Sequence, residues 1–178
     1  RELGADPLVV VAAPSTADAF AGGEVAIQER PLGTGDAVRS ARAALEGRAR
    51  DVPVLSGDTP LLTPDLLRVL RNGSGGLEAI VEAKDATPEQ LAVREVNSSI
   101  YVFRDERLWP VLDRLTPQNA QGELYLTDTV SLLVENGGTV AVHKGGDPME
   151  TEGVNTREEL AAGAAALRDR VNREHMLA

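Results

Sequence analysis

Apolar residues along this chain occur either as short continuous runs or at every third or fourth position. Continuous runs rich in β-branched residues are typical of strands buried on both faces of a parallel sheet, whereas the wider spacing predicts amphipathic helices. Because the two patterns alternate, the sequence predicts an α/β fold with a mainly parallel mixed sheet and flanking helices. The runs predict strands at Pro7–Ala13, Glu24–Gln28, Val52–Ser56, Leu77–Glu82, Glu95–Phe103 and Thr139–His143.

Capping residues and prolines mark where the predicted helices begin. Thr63 and Thr87 each precede a proline that suits the first helical turn. Asp36 is a candidate N-cap or first-turn acid, and Thr156 is a candidate cap for the last helix. The predicted helices are a short one that ends at Phe20 with Ser15 or Thr16 as its cap, Ala37–Leu45, Thr63–Leu70, a short one from Thr87, one ending at Leu115, Thr129–Glu135, and an amphipathic one from Thr156 onward.

Composition narrows the class of protein. The 178 residues suffice for one domain, and a hydrophobic fraction of 42% predicts a packed core. Aromatic residues make up only 3%, so the core is expected to consist of Val, Leu, Ile and Ala. A net charge of −10 argues against nucleic acid as a partner, and the absence of cysteine excludes thiol catalysis. No apolar run spans a bilayer and no signal-peptide pattern is present, which favours a cytoplasmic protein.

A loop with two glycines, Pro31–Gly35, connects a predicted strand to a predicted helix. Such a loop offers backbone N–H groups and the positive end of the helix to a phosphate or a base. Gln28 stands just before it, where its amide can hydrogen-bond a pyrimidine edge. The alternative is a structural turn preceded by a polar strand-end residue, because the loop lacks the Walker lysine and the full dinucleotide fingerprint.

Asp58 follows the predicted strand Val52–Ser56, directly after Gly57. A carboxylate at the carboxyl end of a parallel strand lies where open α/β sheets bind ligands. It can hold magnesium when phosphate oxygens complete the coordination shell. A turn or helix-capping role is the alternative. The other isolated titratable residues are interpreted as surface groups: His143, His175, Asp85, Glu89 and Glu95.

Six blocks of sequence occur in the order found in one known family: QERPLGTGDAV, VLSGDTPLLTPDLL, IVEAKDATPEQ, EVNSSIYVF, NAQGELYLTD and EGVNTREEL. Over nearly its whole length the chain resembles the uridylyltransferase domain of the bacterial bifunctional N-acetylglucosamine-1-phosphate uridylyltransferase/glucosamine-1-phosphate acetyltransferases. The resemblance implies a Rossmann-like nucleotide-sugar transferase fold across residues 1–178. It implies a magnesium-dependent reaction of UTP with N-acetylglucosamine 1-phosphate that gives UDP-N-acetylglucosamine, a cell-wall precursor, and pyrophosphate.

The resemblance also implies roles for single residues. The matching positions are Gln28, Gly33 and Thr34 for uracil; Ser56, Gly57 and Asp58 for the segment beside ribose and metal; Glu82 and Asn97 for the sugar; Tyr125 and Thr127 for a loop on the sugar side; and Asn155 for the second protein ligand of magnesium. Asp58 and Asn155 would act in catalysis through the metal. Ser56 stands where the family often has an aromatic residue, so a stacking or packing contact is expected to differ.

Three parts of the family's pattern do not appear in the sequence. The first strand and a basic, glycine-rich phosphate loop are expected before Arg1, and a further strand with a Gly-Tyr-Gly-Arg segment is expected after Leu70. The acetyltransferase β-helix domain, which carries trimerisation in the family, is expected after Ala178, so a homotrimer is predicted only with that domain. The alternative hypotheses are a non-catalytic remnant that binds UDP-N-acetylglucosamine and a transferase of altered specificity. Gln28, Glu82 and Asn97 argue against altered specificity.

Overall fold

The structure is a computed structural model, and it describes residues 6–20, 23–62, 76–93, 95, 97–145 and 147–177. The strands of the described residues are β1 Val9–Ala12, β2 Glu24–Ile27, β3 Asp51–Val54 and β4 Tyr101–Arg104. β1 and β2 pair in parallel, with Val9 opposite Glu24. β3 and β4 pair antiparallel, with Asp51 opposite Arg104.

The helices of the described residues are α1 Thr34–Ser40, α2 Arg42–Leu45, α3 Pro88–Leu91, α4 Asp105–Leu112, α5 Asp128–Glu135 and α6 Arg157–Leu177, with 3-10 helices at Ala17–Phe20 and Pro148–Thr151. Two predicted caps are confirmed. Thr87 accepts a hydrogen bond from Gln90 N, and Gln90 accepts one in return from Thr87 N, which closes a capping box. Thr156 and Glu159 form the same pair of bonds at the start of α6.

The mixed α/β class is confirmed, but the expected single, mainly parallel sheet is not seen. The described strands form two separate two-stranded sheets, one parallel and one antiparallel. In the described residues the predicted strands Leu77–Glu82 and Thr139–His143 are assigned to neither sheet, and a backbone bond from Leu77 N to Val140 O (3.1 Å) joins them instead. They therefore do not connect the two pairs. The helix predicted over Thr63–Leu70 lies outside the described residues.

The hydrophobic core surrounds α4, which packs against α1, α5 and β4. Its members are Val38, Val52, Phe103, Leu108, Trp109, Leu112, Leu115, Leu124 and Leu126. Leucine and valine dominate as predicted, but Phe103 and Trp109 also belong to the core. Trp109 is buried without an unpaired N–H because its Nε1 donates to Asp105 Oδ1 at 2.7 Å.

α6 is the longest helix of the described residues, and its apolar side chains are open to solvent. Leu160, Leu167 and Val171 are 57%, 42% and 42% exposed, so the described chain leaves the predicted apolar face uncovered. Within the described ranges, no helix is both long enough and apolar enough to cross a membrane.

Candidate functional site

Two backbone hydrogen bonds connect the loop before α1 to residue 124. Gly35 N donates to Leu124 O at 2.8 Å, and Leu124 N donates to Leu32 O at 2.7 Å. Gly33 has a φ of +112°, and a Cβ on it would lie 2.6 Å from Leu124 O. Glycine is required there for both its backbone angle and the close approach of a second chain segment. The prediction of free N–H groups in this loop is wrong for Gly35, because Leu124 O takes that N–H.

Thr34 connects this loop to the segment that carries Tyr125 and Thr127. Its Oγ1 accepts a hydrogen bond from Leu126 N at 3.0 Å. Helix α1 begins at Thr34, three residues earlier than predicted, and Gly33 occupies the N-cap position. The predicted uracil side and the predicted sugar-side loop are therefore neighbours.

Gln28 follows β2, and its side chain turns back toward the same loop. Its Nε2 donates to Gly33 O at 3.1 Å and to Asp36 Oδ2 at 3.0 Å. Asp36 is 9% exposed, and its other carboxylate oxygen accepts a 2.7 Å bond from Arg39 Nη2. Asp36 is thus a first-turn acid and not the N-cap. Its contact with Gln28 is a feature that the sequence prediction missed, although the Asp36–Arg39 spacing of three residues was a readable signal for an ion pair.

Glu82 and Thr127, both predicted on the sugar side, are in direct contact. Thr127 Oγ1 donates to Glu82 Oε1 at 3.1 Å. Tyr125, two residues earlier, is 5% exposed, and its hydroxyl accepts a 2.8 Å bond from Gln121 Nε2. Both segments therefore belong to one polar cluster beside the glycine loop, which we call the sugar-side cluster.

Asn97, also predicted to contact the sugar, lies at the start of the turn that leads into β4. Its Nδ2 donates to Tyr101 Oη at 2.6 Å, and its Oδ1 accepts from Ser99 N at 3.3 Å. Burial raises the pKa of Tyr101 to about 12, the bond from Asn97 lowers it, and the negative charge of Glu82 raises it. The effect of the Glu82 charge on Tyr101 indicates that Glu82 and the Asn97–Tyr101 pair share one electrostatic environment.

Two further carboxylates face this cluster. Burial raises the pKa of Asp128, and the charges of Asp85 and Glu82 raise it further. Burial likewise raises the pKa of Tyr125, with Asp85 and Glu82 acting in the same direction. Asp85 also accepts a 2.7 Å bond from Ala120 N. Asp85 is exposed, in agreement with its interpretation as a solvated charge, but the sequence did not show that the loop containing residue 120 folds onto it.

Asp58 lies in a turn after β3, beside the loop that precedes α6. Its Oδ1 accepts the hydroxyl hydrogen of Ser56, and its backbone oxygen accepts a 2.8 Å bond from Val154 N. A Cβ on Gly153 would lie 3.4 Å from Asp58 Oδ2 and 3.9 Å from Asn155 Nδ2. The two predicted metal ligands, nearly a hundred residues apart in sequence, therefore flank the same glycine.

The predicted residues thus form two groups. One contains the glycine loop, Gln28 and the sugar-side cluster, and the other contains Ser56, Gly57, Asp58 and Asn155. Within the described ranges no hydrogen bond joins the two groups, and no cluster of three or more His, Cys, Asp or Glu side chains is placed to hold a metal. Gly57 is exposed, with nothing within 4 Å of the position of a Cβ.

Several curated bacterial proteins are similar to this chain. The bifunctional protein GlmU of Trichlorobacter lovleyi is 40% identical across 100% of the chain, and that of Geobacter metallireducens is 38% identical across 99%. The bifunctional protein GlmU of Mycobacterium bovis is 41% identical across 87%. The chain is homologous to part of these GlmU proteins. It spans only 46%, 44% and 37% of the length of these three relatives. No protein-family model matches the chain.

The GlmU relatives are also longer within the matched region. The alignments to the Trichlorobacter and Geobacter GlmU proteins extend over 213 and 211 positions, more than the 178 residues of this chain. Both relatives therefore have residues inside the matched region for which this chain has no counterpart. This agrees with the expectation from the sequence that an internal part of the family's pattern is missing.

Proposed function

We propose that this chain is the uridylyltransferase part of a GlmU protein. In this proposal it converts UTP and N-acetylglucosamine 1-phosphate to UDP-N-acetylglucosamine and pyrophosphate on a Rossmann-like nucleotidyltransferase fold. Similarity to the GlmU proteins supports the class of reaction. The observation that carries the proposal is the bond between Val154 N and Asp58 O, because it brings the Asn155 amide beside the Asp58 turn.

The side chains of this second group suit magnesium. Carboxylate and amide oxygens are ligands that magnesium accepts, and magnesium commonly takes only one or two ligands from protein. Asp58 Oδ2 and the amide oxygen of Asn155 are the candidate donors, while Ser56 holds Asp58 Oδ1. Magnesium held there would neutralise part of the negative charge of the phosphates.

The reaction requires positioning and charge compensation more than a covalent nucleophile. An oxygen of the sugar phosphate attacks the α-phosphorus of UTP, the bond between the α-phosphorus and its bridging oxygen breaks, and pyrophosphate leaves with that electron pair. In the proposal Gln28, Gly33 and Thr34 hold the uracil, and Ser56 and Gly57 lie beside the ribose.

The sugar-side cluster supplies the acceptor site in the proposal. Glu82 and Asn97 would hydrogen-bond the sugar hydroxyls and the N-acetyl group, and Tyr125 and Thr127 would line the same side. The Thr127–Glu82 bond holds the Glu82 carboxylate in place before the sugar arrives, so less side-chain entropy is lost when the sugar binds.

Pyrophosphate release tests the proposal. The purified protein should release pyrophosphate only when UTP, N-acetylglucosamine 1-phosphate and magnesium are all present. Asp58→Asn keeps the shape of the side chain but removes the charge, and it should lower kcat at least about a hundredfold, as expected for the loss of a charge-stabilising group. Asp18→Asn, at an exposed aspartate in the first 3-10 helix, is the matched control and should retain wild-type activity. Full activity of Asp58→Asn would overturn the role of Asp58.

One observation favours a second candidate function, a non-catalytic module that binds UDP-N-acetylglucosamine. The GlmU relatives have residues inside the matched region that this chain lacks. Calorimetry separates the two candidates, because binding of the UDP-sugar without any pyrophosphate release would favour the binding module. A cytoplasmic location remains a prediction from the sequence.

A further inference from the structure

Asp36 is the most deeply buried charged residue of the glycine-loop region, and the proposed mechanism gives it no role. It is 9% exposed, and both of its carboxylate oxygens are engaged. Oδ1 faces Arg39 Nη2 at 2.7 Å, and Oδ2 faces Gln28 Nε2 at 3.0 Å. The side chain of Gln28 is thus held by an ionic pair that is fixed on α1.

The partners of Gln28 determine which way its amide points. A side-chain amide has two N–H donors on nitrogen and one acceptor oxygen, and the two ends are told apart only by their neighbours. Both neighbours here, Gly33 O and an oxygen of the Asp36 carboxylate, are acceptors. The nitrogen of Gln28 must therefore face them, and both of its N–H groups are used.

The oxygen of the same amide is left for a ligand. Among the described residues no donor reaches Gln28 Oε1, and no side-chain nitrogen or oxygen is buried without a partner. Oε1 is therefore accessible to an incoming N–H donor. Uracil presents such a donor at N3–H, whereas cytosine has an acceptor at N3.

We infer that Asp36 is a positioning residue that makes the base site selective for uracil over cytosine. With Gly33 O, it fixes Gln28 so that only the acceptor end of the amide faces the base. This inference rests on the proposed function, because it assumes that Gln28 contacts the base.

The isosteric variant Asp36→Asn provides the main test. Arg39 would attract the oxygen of the introduced amide, so the NH2 group of that amide would face the NH2 group of Gln28. Two donors cannot pair, and rotation of the Gln28 amide would turn its acceptor away from the base. We expect the ratio of kcat/KM for UTP over CTP to fall about tenfold, the factor for one lost hydrogen bond.

Ser40→Ala is the matched control on the same helix. It removes the 2.9 Å bond from Ser40 Oγ to the backbone oxygen of Asp36 but leaves the carboxylate intact. It should lower stability without changing the UTP-to-CTP ratio. A merely structural role of Asp36 predicts that both nucleotides lose activity alike in Asp36→Asn, and an unchanged ratio in that variant would overturn the inference.

Two further measurements decide the question if Asp36→Asn does not fold. Asp36→Ser has a hydroxyl too short to reach Gln28 and should show the same fall in the ratio. The wild-type protein should bind N3-methyl-UTP about tenfold more weakly than UTP, because the methyl group replaces the donor. Equal binding of the two nucleotides would overturn the inference. A wild-type protein that neither binds nor uses UTP would instead refute the proposed function.

Discussion

Thr127 donates its hydroxyl hydrogen to Glu82 Oε1 at 3.1 Å, and this bond joins the segment entering α5 to segment 76–82, which is neither helix nor strand. Thr127 is 5% exposed and Glu82 is half-buried, so the bond is partly shielded from water. Glu82 in turn influences Tyr101, Tyr125 and Asp128 through its charge. The position of this one carboxylate therefore affects the whole sugar side of the candidate site.

Thr127→Val should weaken both folding and sugar binding. The variant keeps the shape of the side chain and removes the donor, so unfolding in urea should show a loss of about 1 kcal/mol. The KM for N-acetylglucosamine 1-phosphate should rise because Glu82 is no longer held. Thr129→Val is the control, since Thr129 is also buried but donates to Leu126 O at 2.6 Å. It should cost similar stability with an unchanged KM, and equal KM values in both variants would contradict the prediction.

Gly33→Ala should be far more costly than Gly122→Ala. Both glycines have positive φ values, +112° and +67°. A Cβ at Gly33 also meets Leu124 O at 2.6 Å, whereas nothing lies within 4 Å of one at Gly122. We expect Gly122→Ala to lose about 1 kcal/mol of unfolding free energy and Gly33→Ala to lose about 3 kcal/mol or more. If the two variants lose the same unfolding free energy in chemical denaturation, the backbone at Leu124 can move away from the added methyl group at little cost.

The stability of the protein should fall between pH 10 and pH 12. Tyr101 ionises at a pKa of about 12 in the folded state, above the ordinary value of 10.0, chiefly because it is buried. The unfolded chain therefore loses this proton first, and the stabilisation present below pH 10 is lost as pH rises to 12. Its size is on the order of 2 kcal/mol.

Tyr101→Phe tests that alkaline loss. The protein has two tyrosines, so absorbance of tyrosinate in the variant reports Tyr125 alone. Urea unfolding at a series of pH values should show that Tyr101→Phe loses less stability between pH 10 and pH 12 than the wild type. If the unfolding free energy falls equally with pH in both proteins, Tyr101 does not cause the alkaline loss.

Glu159→Gln should destabilise the turn at Asn155, whereas Glu158→Gln should not. The Glu159 carboxylate accepts bonds from Asn155 N at 2.7 Å and Thr156 N at 2.8 Å, and these bonds lower its pKa below the ordinary 4.5. The resulting stabilisation is present above pH 4.5 and is lost as pH falls through the lowered pKa. The melting temperature of Glu159→Gln should therefore be lower than that of the wild type at pH 7, with the difference shrinking in acid. The magnesium concentration needed for half-maximal activity should rise in Glu159→Gln only.

Local sequence signals were sufficient for most helices and for the first strands. Thr87 and Thr156 cap helices where predicted, because a capping box depends only on residues three positions apart. The pairing of strands was not readable in the same way. Pairing depends on contacts between distant segments, and β3 and β4 meet antiparallel across about fifty residues of chain.

The resemblance to the family assigned roles to single residues of the candidate site, and those roles stay predictions, but it did not predict the contacts of these residues. The resemblance to the family named Gln28, Glu82 and Asn155, and the structure places polar partners beside each of them. The resemblance assigned no role to Asp36, because an acidic residue in the first turn usually only complements the helix dipole. Its pairing with Gln28 follows from how β2 and α1 are joined, which no short pattern encodes.

The bonds that connect Leu32 and Gly35 to Leu124 span about ninety residues of sequence. During synthesis the amino-terminal part of a chain becomes available for folding first. The glycine loop therefore cannot form its hydrogen bonds to residues 124 and 126 until residue 126 has left the ribosome. The loop that we propose to bind the base is therefore completed late, after much of the surrounding chain has already been made.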